Sequence, residues 1–479
     1  MAIDTNALEE DIPLCVDLDG TLVKTDTLVE SALLLVKKNP FNVFAMLRWL
    51  VQGKAHLKDQ IAERTDLNVA LLPYNTDLLA WLNSVRDTRR IVLVTAANQK
   101  IANAVAQHLQ VFSKVIASSP GQNLSGTEKR DELDKLYGPG GYDYAGNSPE
   151  DLHVWKHSHQ AVVVDAKPSV LASVRATSTV ARVYSSDQDT AKMLLKAMRP
   201  RQWIKNLLVF VNILMAHQLG DMALMASTFA AFIAFCLCAS AVYLMNDLLD
   251  LDADRGHSTK RHRVFAGGKL QPIYGVVAAP ALLLAAFAFA AIAGGVFPMA
   301  LLAYFVVTVL YSLLLKRIVI LDVLVLAMLY TLRIVAGAAV AVVMPSFWLL
   351  SFAMFIFGSL AMAKRYAELK MLQRESSTWA SGRGYHVGDL ALISSLGVAS
   401  GYIATLVLAL YVNSPDVLKL YGNASYIWLL CPLLMYWIGR IWLLASRGVL
   451  DQDPVIFATR DPVSYLVGFF SLLILWAAI

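Results

Sequence analysis

The chain has 479 residues, 57% of them hydrophobic, with a mean hydropathy of +0.54 and a formal net charge of +5. So apolar a composition excludes an ordinary soluble protein and points to many membrane spans. The positive excess lies in the second half, where a membrane protein needs Lys and Arg on its cytoplasmic loops, so it gives no reason to invoke nucleic acid.

Apolar content is uneven, and with the length it predicts two domains. Residues 1–185 read as a soluble domain. Residues 1–11 are acidic and carry no apolar h-region, which predicts no cleavable signal and a first domain that stays in the cytoplasm. Residues 12–18 read as a short buried strand ending in Asp17-Leu18-Asp19-Gly20-Thr21. Further strands are expected at 90–95, 111–118, 142–146 and 161–165, with helical patterns between them, as at 98–109 and 129–136. This alternation predicts a parallel, doubly wound α/β sheet. Such sheets bind ligands at the carboxyl ends of their strands, where Asp17 and Thr95 fall. The four cysteines, Cys15, Cys236, Cys238 and Cys431, are scattered and suggest neither a disulfide framework nor a zinc site.

The run Asp17-x-Asp19-Gly20-Thr21 resembles motif I of the haloacid dehalogenase superfamily. Thr95, Lys129 and the stretch Asn147-Ser148-Pro149-Glu150-Asp151 follow in that family's order, and residues 27–83 fit its helical cap. The resemblance implies that Asp17 attacks phosphorus and Asp19 acts as acid and base. Thr95 and Lys129 would bind the phosphoryl oxygens. Asp17, Asp19, Asn147 and Asp151 would surround Mg²⁺. The family's first motif IV acid is Asn147 here, which removes one charge from that site.

Residues 186–203 read as a linker and an interfacial helix, with Lys192 and Lys196 on its polar face. Next comes Arg199-Pro200-Arg201-Gln202-Trp203-Ile204-Lys205-Asn206. Trp203 suits a membrane interface. The cations there suit either a positive-inside role or a phosphate. Residues 204–479 show about nine apolar segments, near 204–219, 223–247, 272–294, 296–315, 319–342, 346–363, 389–412, 425–445 and 462–479. Basic residues collect in alternate loops: Arg255 to Lys269, Lys316 and Arg317, Lys364 to Arg383, and Arg440 to Arg460. This pattern predicts an inner-membrane protein with these loops and the first domain cytoplasmic and the C-terminus opposite.

One of those loops follows the second segment and begins Asn246-Asp247-Leu248-Leu249-Asp250-Leu251-Asp252-Ala253-Asp254. Positions 246, 250 and 254 lie four apart and Asp247 precedes Asp250 by three, so they are spaced to share a helix face that could hold one or two divalent cations on a diphosphate. This stretch resembles the first aspartate-rich motif of the UbiA prenyltransferase superfamily, intramembrane enzymes of about nine helices. The second acidic motif of that family is replaced here by Lys364-Arg365-Tyr366-Ala367-Glu368, in which only Glu368 is acidic. With Arg199 to Asn206, Asp254 to Arg263, and Asp322 ahead of Arg333, this resembles one subgroup, the decaprenyl-phosphate phosphoribosyltransferases.

That resemblance implies transfer of 5-phosphoribose from phosphoribosyl diphosphate to a polyprenyl phosphate. Mg²⁺ would be held by Asn246, Asp247, Asp250 and Asp254, with Glu368 a possible second-metal ligand. Arg199, Lys205, Asn206, Lys260, Arg261, Arg263, Lys316, Arg333, Lys364 and Arg365 are the candidate substrate ligands. Three phosphate groups handled at once call for cations beyond the metals. Asp322 and Arg333 are expected to pair inside the membrane. The first domain would remove the 5-phosphate. The alternative is an aromatic prenyltransferase with a regulatory or inactive first domain; its expected sign, paired aspartates after the sixth segment, is missing from the sequence.

Overall fold

A computed structural model of the protein describes residues 12–119, 121–185, 189–374, 378–379, 383–414, 417, 421–450 and 453–479. The acidic N-terminus and linker residues 186–188 lie outside the described residues. The chain forms two compact units, Met1–Met198 with Tyr243–Ala278, and Arg199–Val242 with Ala279–Ile479.

The first unit is built on a parallel sheet. Its strands are β1 (Leu14–Val16), β2 (Ile91–Asn98), β3 (Lys114–Ser118), β4 (Asp143–Gly146), β5 (Ala161–Val164) and β6 (Val180–Tyr184), in the order β3-β2-β1-β4-β5-β6. Every pairing is parallel. Both faces are covered, so the inner strands are apolar runs rather than alternations. Leu14, Val16 and Leu93 pack on one side, and Cys15, Val92 and Val94 on the other. Strand order reverses at β1, which lies between β2 and β4; a ligand crevice opens at such a switch point, off the carboxyl end of the strand. The five expected strands are present. β6 is an additional edge strand.

Between β1 and β2 lies the expected helical insert, beginning with α1 (Thr27–Lys38), α2 (Asn42–Val51) and α3 (Lys54–Arg64). Asp26 caps α1 by accepting a hydrogen bond from the Val29 backbone N–H at 3.0 Å. The Asn42 side-chain amide donates to the Leu35 carbonyl at 2.9 Å, which fixes the turn from α1 into α2.

The protein is an integral membrane protein. Among the described residues, six helices are long and apolar enough to cross a bilayer: Met222–Leu249, Pro272–Ala293, Leu321–Ala341, Phe347–Arg374, Val387–Val412 and Ala424–Ser446. Helices Phe297–Leu313 and Pro462–Ala478 fall where spans were expected but have only 17 residues each. The expected first span, 204–219, does not form one long α-helix. Its place is taken by a 3₁₀ stretch, Pro200–Phe210, and a five-residue helix, Val211–Met215. The cause is polar: Lys205, Asn206 and Asn212 are buried, and the Asn212 amide donates to the Ile334 carbonyl at 2.6 Å. Packing against neighbouring helices satisfies such groups.

Candidate active site

Three groups of residues carry chemistry. The first is at the carboxyl end of β1. The Asp17 backbone N–H donates to the Ala145 carbonyl of β4 at 2.9 Å, so the sheet itself fixes this carboxylate. Lys129, on helix Thr127–Tyr137, donates to Asp17 Oδ1 at 2.9 Å and to the Tyr144 hydroxyl at 2.8 Å, and lies 3.6 Å from Asp151. Tyr144 in turn donates to Asp151 Oδ1 at 2.7 Å. The other Asp151 oxygen accepts from the Asn147 and Ser148 backbone N–H groups and the Ser148 hydroxyl, each at 3.0 Å. Asp19 Oδ1 accepts from the Thr27 N–H at 2.8 Å, which ties the loop after β1 to the helical insert. Thr95 is buried, and its hydroxyl oxygen accepts from the Ala97 N–H at 3.0 Å. Gly20 has φ +74°, and a Cβ there would collide with the Asn147 side chain, so Gly20 and Asn147 need each other's shape.

The electrostatics separate the two acids. Burial raises Asp17 to about 6, against the pull of Lys129. Burial and then Asp26 raise Asp19 to about 8. Both shifts favour the protonated carboxyl, and more strongly at Asp19 than at Asp17. Lys129 is pushed down by burial, but Asp17 and Asp151 outweigh this and its net shift is upward. Sequence reasoning missed two members of the group. Tyr144 looks like an ordinary strand residue. Lys58, on α3, reaches over the loop and donates to the Ala96 carbonyl at 2.6 Å and to Asn123 at 2.7 Å. Burial lowers its pKa.

The second group is the aspartate stretch, which packs with the first unit. Helix Met222–Leu249 ends at Asp250, and a short helix, Leu251–Arg255, follows. Two members of the expected group, Asp247 and Asp254, meet at one cation. Asp247 and Asp254, seven apart, converge on Arg263 Nη1 at 3.1 and 2.7 Å. Asp250 pairs with Lys37 of α1 at 3.0 Å. Burial raises the pKa of Asp254, against the pull of Arg263. Beside these, Arg255 grips Glu30 of α1 through two bonds of 2.7 and 2.5 Å. Lys260 and Arg261 lie on the 3₁₀ turn Lys260–His262, none of which is buried.

The third group belongs to the second unit. Lys205 and Lys364 both reach Asp453 Oδ2, at 2.5 and 3.1 Å. Burial pushes Asp453 up, but Lys364 and Lys205 outweigh it and hold it well below the usual carboxylate range. Arg365 pairs with Asp322 at 2.5 Å, with Glu368 at 2.9 Å, and donates to the Tyr311 hydroxyl at 2.9 Å. Glu368 also lies 3.3 Å from Arg383. The expected Asp322–Arg333 pair does not form. Asp322 is taken by Arg365 and Tyr385. Arg333 instead donates to Asn206 at 2.8 Å, the Leu329 carbonyl at 2.6 Å and the Tyr304 hydroxyl at 2.8 Å. Arg199 precedes the 3₁₀ stretch with φ +56°, and Lys316 lies on the turn Leu315–Arg317. Asp453 was not foreseen. Its local signal is that of a helix cap before Pro454, and its Oδ1 does accept from the Val455 N–H at 3.1 Å.

Among the described residues, no three His, Cys, Asp or Glu side chains form a ready-made metal cage. Two carboxylate pairs nonetheless converge on one cationic nitrogen each: Asp247 and Asp254 on Arg263, and Asp17 and Asp151 on Lys129. In each pair the nitrogen stands where a cation is favoured, and all-oxygen donors suit Mg²⁺, which keeps waters and substrate phosphates in its remaining positions.

Residues 207–474 match the UbiA prenyltransferase family. The uncharacterized protein y4nM of Sinorhizobium fredii is 34% identical over 469 residues, which is 97% of this chain and 91% of that one. Nodulation protein NoeC of Azorhizobium caulinodans is 36% identical over 267 residues, covering 56% of this chain and 86% of that protein. The decaprenyl-phosphate phosphoribosyltransferase of Mycolicibacterium smegmatis is 38% identical over 194 residues, covering 38% of this chain and 58% of that enzyme.

Proposed function

The chain belongs to the UbiA prenyltransferase family, and from that membership we propose that its membrane half transfers 5-phosphoribose from phosphoribosyl diphosphate to a polyprenyl phosphate. A phosphate oxygen of the lipid attacks C1 of the ribose, the C1–O bond breaks, and diphosphate leaves. Asp247, Asp250 and Asp254, with Asn246, would hold Mg²⁺ on the diphosphate. When bound, that ion neutralises charge on the leaving group. Lys205 and Lys364 supply ammonium groups for phosphate oxygens.

The observation that carries the reading is the replacement of the second acidic motif by Lys364 and Arg365, with Lys364 joined to Lys205 at one carboxylate. A prenyl diphosphate brings one anionic group, whereas phosphoribosyl transfer brings three, and the second better suits two ammonium groups that share one carboxylate. The partial similarity to phosphoribosyltransferases named for a decaprenyl phosphate acceptor supports the same choice. The acidic and basic loops are read as facing the cytoplasm.

The sheet domain is read as the phosphatase that follows. Asp17 attacks the 5-phosphate, Asp19 protonates the ribose oxygen as the P–O bond breaks, and water then releases phosphate from Asp17 with Asp19 taking its proton. The product is polyprenyl-phosphoryl-ribose. Incubating membranes with labelled phosphoribosyl diphosphate and a polyprenyl phosphate tests the transfer. Label should enter the lipid phase; label that stays in water refutes it. Mass spectrometry of that lipid tests the second step: wild type should yield the ribose form and Asp17→Asn the phosphorylated one.

A further inference from the structure

Cap helix α2 does not look like part of a soluble phosphatase. None of its ten residues is buried. Phe41, just before it, is 74% exposed, and Phe44, Leu47 and Val51 are 70, 57 and 89% exposed. These positions, three or four apart, form one stripe along the helix. Up to residue 184 the large exposed hydrophobics are Phe41, Val43, Phe44, Leu47, Leu50 and Val51, plus only Leu136 and Val183, among the described residues. An apolar patch concentrated on one element marks a contact surface.

The position of α2 identifies what covers it. Lys37, in the last turn of α1, is paired with Asp250 at 3.0 Å, one residue beyond the helix Met222–Leu249, which is long and apolar enough to span a membrane. Arg255 holds Glu30 of α1 from the same stretch. Only Asn39, Pro40 and Phe41 separate α1 from α2, and the Asn42–Leu35 hydrogen bond fixes the corner. The stripe therefore begins beside the end of a helix long and apolar enough to cross a membrane. Arg48 and Lys54 are exposed on and beside it, ready for anionic headgroups. Trp49 lies under Arg64, with the guanidinium 4.8 Å from the ring centre, an aromatic–cation pair suited to the interface.

α2 also borders the phosphatase crevice. A cavity of about 1310 Å³ in the first unit is lined by Asp17 and Lys129 at one place, and by Leu50, Leu57 and Ile61 of the cap at another. Tyr274, from the start of the next membrane helix, lines it too. It is thus polar at the reacting group and apolar toward α2.

We propose that α2 lies in the headgroup layer of the membrane that holds the chain, as an interfacial helix, and that the crevice beneath it takes a phosphomonoester borne on a lipid. The first half of this stands on α2 alone; the second rests on the phosphatase reading above.

The test uses the full-length protein in vesicles of phosphatidylethanolamine and phosphatidylglycerol. The four native cysteines are buried, so an environment-sensitive fluorophore can be placed at Phe44→Cys, or at Asp87→Cys as a control. Asp87 has a side-chain exposure of 87%. Brominated lipids should quench the label at 44 at least twofold and leave that at 87 unchanged. A label at 44 that is not quenched overturns the proposal, including one whose emission is blue-shifted by a protein partner or second copy. Quenching at 87 as strong as at 44 overturns it as well. In the second arm, Phe44→Ser with Leu47→Ser should reduce phosphate release from a lipid phosphomonoester at least fivefold, with hydrolysis of p-nitrophenyl phosphate unchanged. Equal loss on both substrates, or on neither, overturns the lipid-substrate half. If wild type hydrolyses neither, the phosphatase reading and with it the substrate half fail, while the quenching result still decides the place of α2.

Discussion

Arg255 and Glu30 are joined by two hydrogen bonds, of 2.7 and 2.5 Å, although 225 residues separate them in sequence. Both are buried, and the Thr25 hydroxyl donates to the same Glu30 carboxylate at 2.5 Å. The pair fastens the first cap helix to the loop that carries the aspartates. Removing one partner leaves a buried charge uncompensated, which costs about 3–5 kcal/mol. Arg255→Ala and Glu30→Ala should each lower the thermal midpoint of the purified protein. The double variant should be no worse than either single one; additive losses would show that the two do not act as a pair.

Arg263 holds the position between Asp247 and Asp254 that a cation would take. Transfer of labelled ribose phosphate should stop on chelation with EDTA and return with Mg²⁺. Arg263→Gln should lower the Mg²⁺ concentration needed for half-maximal transfer, because the competing guanidinium is gone. A higher requirement would mean that Arg263 binds substrate rather than competing with the metal. Asp254→Asn should reduce transfer at least a hundredfold, about 2.7 kcal/mol in barrier.

Asp453 neutralises half of the charge that Lys205 and Lys364 bring together. Asp453→Asn leaves two ammonium groups without their shared carboxylate and should reduce transfer about tenfold, or 1.4 kcal/mol in barrier. Lys364→Met should raise the KM for phosphoribosyl diphosphate and leave membrane insertion unchanged, read from the amount of protein extracted by detergent.

Asp19 links folding to pH. Its carboxyl stands at about 8 in the folded chain, raised by burial and by Asp26, above the unfolded value of about 3.9. Between these two values the folded state binds the extra proton, so this group makes the protein less stable as pH rises toward 8. In metal-free buffer the thermal midpoint should fall between pH 5 and pH 8, and Asp19→Asn should flatten that fall. A slope equal to wild type in the variant would assign it to other groups.

The fold was legible where local pattern and tertiary role agree. The buried strands around Asp17 are short apolar runs ended by turn residues, and they read correctly. β6 did not, because Val180–Tyr184 is an edge strand with Arg182 in the middle and little burial. The first expected span is not one long helix for another reason. Hydropathy counts Ile204, Leu207 and Leu208 as membrane residues, but Asn206 and Asn212 are bonded to neighbouring helices, which only the tertiary structure reveals. Asp322 and Arg333 are three turns apart on one helix, and each found its partner on a different element. Asp453 lies 248 residues from Lys205, and no spacing rule reaches that far.

The chain passes between the two compact units three times, after residues 198, 242 and 278, and the last two crossings fall inside the helices Met222–Leu249 and Pro272–Ala293. The sheet therefore borrows part of its own wall from further along the polypeptide: Gly268, Lys269 and Tyr274 line the crevice over Asp17. A fragment stopping at residue 185 would keep Asp17, Asp19, Lys129 and Asp151 and still lack Glu30's counter-ion and one side of its cavity. Division of the chain at its linker would remove Gly268, Lys269 and Tyr274 from the crevice. Chain order and compact units are interleaved, so synthesis has to pass residue 278, inside the helix Pro272–Ala293, before the first unit is whole.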